Sequence, residues 1–380
     1  MAKIPFLDLK QVNAPCMQSL KAAADDVVES GWYIRGTYCR DFENAFAAYC
    51  GASYGVGVGN GLDALTLMLR AEIELGRLDA GDEILVPSNT YIATVLAVSA
   101  AGLVPVPVEP DEKTFNIDPT RLESACTKKT RGIMAVHLYG RAADMPRICA
   151  FARERGLLVF EDCAQAHGAR GVCAGDASAF SFYPTKNLGA LGDAGMVLTN
   201  DADLVRVVRM LGNYGSEIKY VNKYRGVNSR LDDLQAAFLL AKLPHLKEWN
   251  ERRREIAARY CQGIKNPLIV LPEIPNPPEE HVWHVFTVRT AEKKIRDALQ
   301  AYLESLGIGT LVFYPTPPHL QEAYGNVPDA APCESGILGK SGDFPIAEKM
   351  AETVLSIPVS QVLTDAEVDE IIGAMNAFEL

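Results

Sequence analysis

One lysine stands in surroundings that a solvated lysine does not have. Lys186 follows the apolar, aromatic run Ser181-Phe182-Tyr183-Pro184-Thr185 and precedes the glycine-rich stretch Asn187-Leu188-Gly189-Ala190-Leu191-Gly192. The nearest acidic residue along the chain is Asp193. An amine held among apolar groups loses affinity for its proton and becomes a usable nucleophile. That is the chemistry of a Schiff base with an aldehyde. The plain structural alternative is a lysine snorkelling from a buried strand, with the glycines serving a turn.

Three further segments carry chemistry-bearing residues. Gly57-Val58-Gly59-Asn60-Gly61-Leu62-Asp63 is a glycine turn between an expected strand and an expected helix. Free N–H groups at a helix start bind phosphate. The G-x-G-x-x-G spacing is not met, because Leu62 falls where the third glycine belongs, so a nicotinamide dinucleotide is disfavoured. An ordinary tight turn is the alternative. The apolar run Leu157-Leu158-Val159-Phe160 ends on Glu161-Asp162. Strand side chains alternate, so only one acid faces a site at the strand end. Asp162 is the one chosen: its carboxylate would hold a pyridine nitrogen protonated, unless it merely caps a helix. Ser88-Asn89-Thr90-Tyr91 follows another strand, and Tyr91 would stack on a flat ring or serve as a core aromatic.

Elements must bring these segments together. Strands are expected at 54–58, 83–86, 104–108, 132–137, 157–161, 179–183 and 196–199. Helices are expected at 63–74, 90–101, 119–126, 145–155 and 201–211, with a long or broken one at 231–255. Strand–helix alternation with continuous apolar strands predicts an α/β fold, a mostly parallel seven-stranded sheet covered by helices. Ligands in such sheets gather at the carboxyl ends of the strands. A proline-rich stretch at 267–278 precedes a strand-like run at 284–289, a helix at 293–306, a loop at 314–319 and a helix at 366–378. The reading is a large domain over 1–240 and a smaller α+β domain over 241–380.

Composition narrows the class. Apolar residues at 48% and charged residues at 22% are those of a globular protein. A formal net charge of −11 argues against nucleic-acid binding. No secretory leader and no membrane span is expected, and the nine cysteines, without a C-x-x-C pair, read as reduced thiols. A cytoplasmic protein is therefore expected. His281 and His284 are close in sequence but have no third ligand nearby, so no metal site is expected.

Taken together, these segments resemble the sugar aminotransferases of the DegT/DnrJ/EryC1/StrS family, within the aspartate-aminotransferase superfamily. The resemblance spans nearly the whole chain. It includes Phe6-Leu7-Asp8-Leu9, Gly31-Trp32-Tyr33-Ile34-Arg35-Gly36, the glycine turn, Glu161-Asp162-Cys163-Ala164-Gln165, the block 181–195 and Asn228-Ser229-Arg230-Leu231-Asp232-Asp233. It implies the type I fold of pyridoxal 5'-phosphate enzymes. Lys186 would form the internal aldimine and shuttle a proton. Asp162 would pair with the pyridinium, and Tyr91 would stack on the ring. Gly61, Leu62 and Ser181 would hold the phosphate, and Gln165 would lie near the ring oxygen. Asn228 would reach the cofactor phosphate of a second copy, which implies a homodimer with shared active sites.

The reaction implied is a ping-pong transfer of the amino group of L-glutamate to a keto carbon of a dTDP-linked keto-6-deoxyhexose, with 2-oxoglutarate released. The product would enter a surface polysaccharide, such as lipopolysaccharide, or an antibiotic. Gln165, where relatives acting at C4 more often carry His, favours C3; a C4-specific enzyme is the alternative. Lys219, Tyr220, Tyr224 and Arg230 would bind the diphosphate. Tyr314 and His319 would line the sugar pocket, and Tyr33 and Tyr183 are further substrate contacts. Dehydratases of the same fold replace the lysine with histidine, so Lys186 argues against that chemistry. Intact Lys186 and Asp162 argue against a non-catalytic regulator. One departure stands out: segment 169–179 is shorter than the hairpin that members usually carry.

Overall fold

The structure is a computed structural model and describes residues 3–325 and 338–380. Seven strands form the main sheet: β1 (Tyr54–Val58), β2 (Glu83–Pro87), β3 (Val104–Val108), β4 (Thr130–Val136), β5 (Leu158–Asp162), β6 (Ala177–Ser181) and β7 (Gly195–Thr199). Their order is β1-β7-β6-β5-β4-β2-β3. The pairs from β3 across to β6 are parallel, whereas β7 runs antiparallel to both β6 and β1.

The middle strands are apolar on both faces because helices cover both. On one face Val56, Val86, Met134, Phe160 and Val197 pack with the helices Gly61–Glu74 and Ala202–Leu211. On the other, Leu85, Ile133, Ala135 and Val159 pack with the helix Met145–Arg155. Parallel strands buried this way need no polar alternation. A third apolar cluster joins Phe42 and Phe46 of the helix Thr37–Cys50 to Phe180, Phe182 and Leu188. It therefore backs the segment that carries Lys186.

A second, two-stranded sheet pairs β10 (Phe286–Arg289) with β11 (Val354–Ile357), after a small hairpin of β8 (Ser216–Ile218) and β9 (Val221–Asn222). Helices Leu246–Gly263, Lys293–Ser305 and Asp365–Ala377 close a core around it. Ile4, near the start of the chain, belongs to this core, and its backbone bridges to Ile308.

Several boundaries differ from expectation. The stretch read as one long or broken helix is two helices, Asp233–Lys242 and Leu246–Gly263, separated by a 3-10 turn containing Pro244. Proline lacks the N–H that a continuous helix requires. The helix expected from Thr90 starts at Ile92, leaving Tyr91 as its cap. The one expected at 119–126 is a 3-10 turn followed by only Leu122–Ala125. The helices Met17–Ser30, Thr37–Cys50 and Pro345–Thr353, and strand β11, were not foreseen.

Candidate active site

The groups singled out in the sequence converge at the carboxyl ends of β5 and β6. Both acids of Glu161-Asp162 lie within β5, and the pleat sends them opposite ways. Glu161 faces the interior. Its oxygens accept from Cys173 N at 2.8 Å and Gly175 N at 2.6 Å, and His137 Nε2 lies 2.8 Å away. His137 Nδ1 accepts from Ala143 N, so the ring proton sits on Nε2 and is given to Glu161. Cys163 brings a third ligand atom within 4.8 Å of these two. The hydrogen bonds show a clamp on the 173–175 turn. Asp162 faces the other way, accepting from Thr94 Oγ1 at 2.8 Å and Ala164 N at 3.1 Å. Thr94 is held in turn by Thr90, 2.8 Å away.

Lys186 lies in a turn closed by its N–H to Tyr183 O at 2.8 Å. Burial pushes its ammonium down to about 8, against the pull of the Asp162 charge in the other direction. Among the described residues no carboxylate comes within 4.0 Å of its Nζ. Desolvation wins, and the amine exchanges its proton near neutral pH.

Two imidazoles flank it. His167 is buried among Phe46, Phe180 and Phe182. Its Nε2 lies 2.9 Å from Ser181 O, and burial with the nearby Lys186 charge pushes it down to about 3. His284 is likewise held well below the ordinary histidine value, first by burial and then by Lys186. Asn187 connects them. Its Oδ1 meets His284 Nδ1 at 3.1 Å, and its Nδ2 donates to Asn250 Oδ1 at 2.9 Å and to Val282 O at 3.0 Å. Asn250 Nδ2 donates to His167 O at 2.8 Å. Asn187 and His284 of this circuit stand in segments with a sequence signal; Asn250, 63 residues from Asn187, carries no local signal.

The glycine turn faces Ser181. A Cβ on Gly61 would lie 2.5 Å from Ser181 Cβ and 3.1 Å from its Oγ, so only glycine admits this approach. Asn60 caps the helix Gly61–Glu74, its side chain accepting from Asp63 N. Ala64 N bonds to Asn60 O at 3.1 Å. The N–H groups of Gly61 and Leu62 have no acceptor among the described residues, and Gly61 lies against Ser181, an arrangement of donors that can take an anion. Ser229 supports the turn, accepting from Gly59 N at 3.0 Å and donating to Asp63 at 2.5 Å.

Tyr91 is half exposed, and its ring centroid is 5.0 Å from that of Tyr314. Tyr314 OH accepts from Gln165 Nε2 at 3.1 Å, and Gln165 Oε1 accepts from Tyr139 N at 2.6 Å. Lys186, Asp162, Gly61, Leu62, Ser181, Tyr91, Gln165 and Tyr314 are thus gathered. Tyr183 lies exposed beside them in the lysine turn, and Tyr33 is exposed on a segment bridged to Asp232.

Other expected residues fall elsewhere. His319 is a correction: its side chain is fully buried, with Nε2 3.1 Å from Glu348 and its ring edge-on to Phe344, so it cannot line a sugar pocket. Lys219 and Tyr220 stand at the tip between β8 and β9, with Tyr220 86% exposed. Tyr224 packs partly against the core behind the sheet. Arg230 donates to Asn213 Oδ1 at 3.1 Å and lies over Tyr214. Asn228 is exposed, and its side chain has no hydrogen bond among the described residues. His281 turns away from His284, stacking on Trp283 at 3.7 Å.

A family model described as the DegT/DnrJ/EryC1/StrS aminotransferase family matches residues 16–376. The dTDP-3-amino-3,6-dideoxy-alpha-D-galactopyranose transaminase of Aneurinibacillus thermoaerophilus is 50% identical over 380 residues, covering 99% of each chain. The crystal structure of S. venezuelae DesV in complex with a ketimine intermediate matches with a TM-score of 0.90 at 45% identity, over 99% of this chain and 98% of that one. The structure of ntda from Bacillus subtilis with bound cofactor PMP matches with a TM-score of 0.89 at 30% identity, over 99% and 85%.

Proposed function

The chain belongs to the DegT/DnrJ/EryC1/StrS aminotransferase family, and on that footing we propose that it is a pyridoxal 5'-phosphate enzyme that aminates C3 of a dTDP-linked 3-keto-6-deoxyhexose with L-glutamate as donor. The observation that carries this reading is the meeting, at two adjacent strand ends, of a desolvated amine, a single acid and a phosphate seat that a Cβ at Gly61 would fill. The amination supplies a deoxyamino sugar for a glycoconjugate or an antibiotic.

The donor set fits the cofactor. Gly61 N, Leu62 N and Ser181 Oγ would take its phosphate, Asp162 its ring nitrogen and Tyr91 one ring face, with Gln165 beside the ring oxygen. When bound, the cofactor supplies an electron sink for the carbon being deprotonated. The chain supplies the rest. Asp162, fixed by Thr94 and the Ala164 N–H, holds a proton at the ring nitrogen. Lys186, with a pKa of about 8, accepts a proton from the substrate carbon and returns it in the other half-reaction. His167 and His284, both held neutral, add no competing positive charge beside it.

Gln165 donates to Tyr314 and leaves a neutral amide where a histidine would carry titratable charge. The A. thermoaerophilus relative is named for a product aminated at position 3, which supports C3 over C4. Tyr33, Tyr183, Arg230 and Tyr314 are the proposed substrate contacts. Lys219, Tyr220 and Tyr224 would join them only from a mobile hairpin or a second copy. The exposed, unengaged Asn228 suits a homodimer in which it reaches the phosphate seat of the other copy. No helix among the described residues is long and apolar enough to cross a membrane.

Three measurements test the reading. Borohydride treatment of the loaded protein should leave a pyridoxyl group on Lys186, located by peptide mass. Glutamate alone should bleach the absorbance of the aldehyde form. Keto-sugar nucleotides offered in turn, with products identified by NMR, should give a 3-amino sugar. A protein that stays colourless with added cofactor overturns the enzyme reading, and a 4-amino product overturns the C3 assignment.

A further inference from the structure

Tyr139 holds the Gln165–Tyr314 pair from two sides. It stands in the 3-10 turn Leu138–Gly140, just after β4, with φ at 60°. A left-handed backbone is uncommon for a bulky aromatic residue and needs its surroundings to hold it. Asn116 and His284 do so. Leu138 N donates to Asn116 Oδ1 at 2.9 Å, Asn116 Nδ2 donates to Arg141 O at 3.0 Å, and Tyr139 O accepts from His284 N at 3.0 Å. The Tyr139 ring is buried, edge-on to Phe115 at 5.1 Å. From this fixed position Tyr139 N donates to Gln165 Oε1 at 2.6 Å, and the Tyr139 hydroxyl donates to the carbonyl of Phe313, the residue before Tyr314.

These bonds fix a direction. A backbone N–H only donates, so the Gln165 atom facing Tyr139 is its carbonyl oxygen, and the amide nitrogen is turned to Tyr314. An amide NH2 also only donates. The Tyr314 oxygen therefore accepts at 3.1 Å, and its own hydrogen is not taken by Gln165. Among the described residues nothing else bonds to that hydroxyl. Burial, and next the charge of Asp162, push the phenol up, so it stays protonated at neutral pH. Its surroundings are aromatic, with the ring centroids of Tyr91 at 5.0 Å and Phe313 at 5.5 Å. Phenylalanine at 139 and 314 would fill the same space but present no hydrogen.

We propose, on the sugar-aminotransferase reading of this site, that Tyr139 is a positioning residue that works through Phe313 O and Gln165 to present the Tyr314 hydroxyl as a one-way hydrogen-bond donor to an oxygen of the bound keto sugar. A ketone or hydroxyl oxygen of a hexose has a lone pair to receive that hydrogen. A neutral donor among aromatic rings suits a neutral oxygen, whereas the carboxylates of glutamate call for charged donors.

The test uses the cofactor-loaded full chain and follows the two half-reactions separately by stopped-flow absorbance. Tyr314→Phe should raise the half-saturating concentration of the keto-sugar nucleotide about three- to tenfold, the scale of one neutral hydrogen bond. The glutamate half-reaction and the cofactor affinity should stay as in wild type. Tyr139→Phe keeps the ring against Phe115 and should give a loss of the same kind. The double variant should be no worse than Tyr314→Phe, because one residue acts through the other. Gln165→Glu sets an acceptor oxygen before Tyr314, which turns the phenol hydrogen to it; adding Tyr314→Phe to that variant should then weaken the sugar no further. Thermal melts confirm folding, and if Tyr139→Phe melts below the assay temperature, the Tyr314→Phe and Gln165→Glu variants still decide. Wild-type half-saturation by the sugar in Tyr314→Phe, additive losses in either double variant, or an equal loss with glutamate overturns the inference while the functional reading stands. A weakened cofactor affinity in Tyr314→Phe gives the hydrogen to the cofactor and overturns it as well. A wild-type chain that aminates no keto-sugar nucleotide overturns the functional reading and this inference with it.

Discussion

Gly61 and Ser181 approach so closely that a Cβ on the glycine would lie 2.5 Å from the Cβ of the serine. Ser181 is the last residue of β6, and Gly61 opens the helix after β1, so the ends of two strands separated by β7 meet here, at the proposed phosphate site. Gly61→Ala must push one of them back. The added methyl should cost about 1–3 kcal/mol of overpacking and raise the dissociation constant for pyridoxal 5'-phosphate by about tenfold or more, one lost charge-assisted hydrogen bond being worth about 1.5–3 kcal/mol. Absorbance titration of the cofactor-free protein reads this directly. Unchanged affinity would mean that the phosphate sits elsewhere.

The turn at Gly61 was legible in the sequence, because glycines between an apolar run and a helical pattern mark a strand-to-helix turn. The middle strands were legible for a related reason: β4 and β5 are apolar on both faces, with Met134 and Phe160 on one and Ile133, Ala135 and Val159 on the other, as parallel strands between helices must be. His319 was misread. Its polar ring and loop position suggested a binding residue, yet Glu348, 29 residues on, takes its Nε2 and buries it. Such a partner is set by tertiary packing and leaves no local pattern. Asn250 escaped notice for the same reason, since nothing near it in sequence indicates that it meets Asn187 and His167.

Asp162→Asn keeps the shape of the strand end but removes the charge. Asn can still accept from Thr94 Oγ1, so the fold should hold. Without a carboxylate the ring nitrogen is not kept protonated, and turnover should fall by about 100-fold or more, the scale of losing one positioned acid–base partner. Cofactor affinity should change less than turnover. Single-turnover rates with glutamate, measured beside the binding titration, separate the two. A variant with near-normal rates would remove Asp162 from the proposed role.

Lys242 offers a test by pH. It is buried, with Nζ donating to Asn13 Oδ1 at 2.9 Å and to the carbonyl of Gly189, three residues past Lys186. Burial pushes it down to about 8 from an ordinary 10.5, as it does Lys186. The folded pKa lies below the unfolded one, so between these values the unfolded chain binds more protons. The contribution of Lys242 to stability should therefore rise with pH from about 8 towards 10.5. Lys242→Met should remove part of that rise. It should also lower stability by about 1–3 kcal/mol by leaving two acceptors unsatisfied. Urea unfolding of cofactor-free protein at several pH values measures both effects, and a pH slope equal to wild type would contradict the assignment.

Asn250 tests whether the lysine turn is positioned through its neighbour. Asn250 accepts from Asn187 and donates to His167 O, so it needs an amide with both ends engaged. Asn250→Asp keeps the acceptor but sets a carboxylate against the His167 carbonyl, while Asn250→Ser keeps a smaller donor and acceptor. Aspartate should therefore be the worse replacement, although closer in shape, with a loss of about 1–3 kcal/mol for the unpaired buried carbonyl and more for the charge. A purely structural role would lower stability alone. If Asn187 orients Lys186, the rate at which Lys186 captures added pyridoxal 5'-phosphate should also fall, even at temperatures where the variant is fully folded. Stopped-flow absorbance gives that rate, and circular dichroism at the same temperature confirms the fold. Equal capture rates in Asn250→Asp and wild type would show that the turn holds Lys186 without help from this circuit.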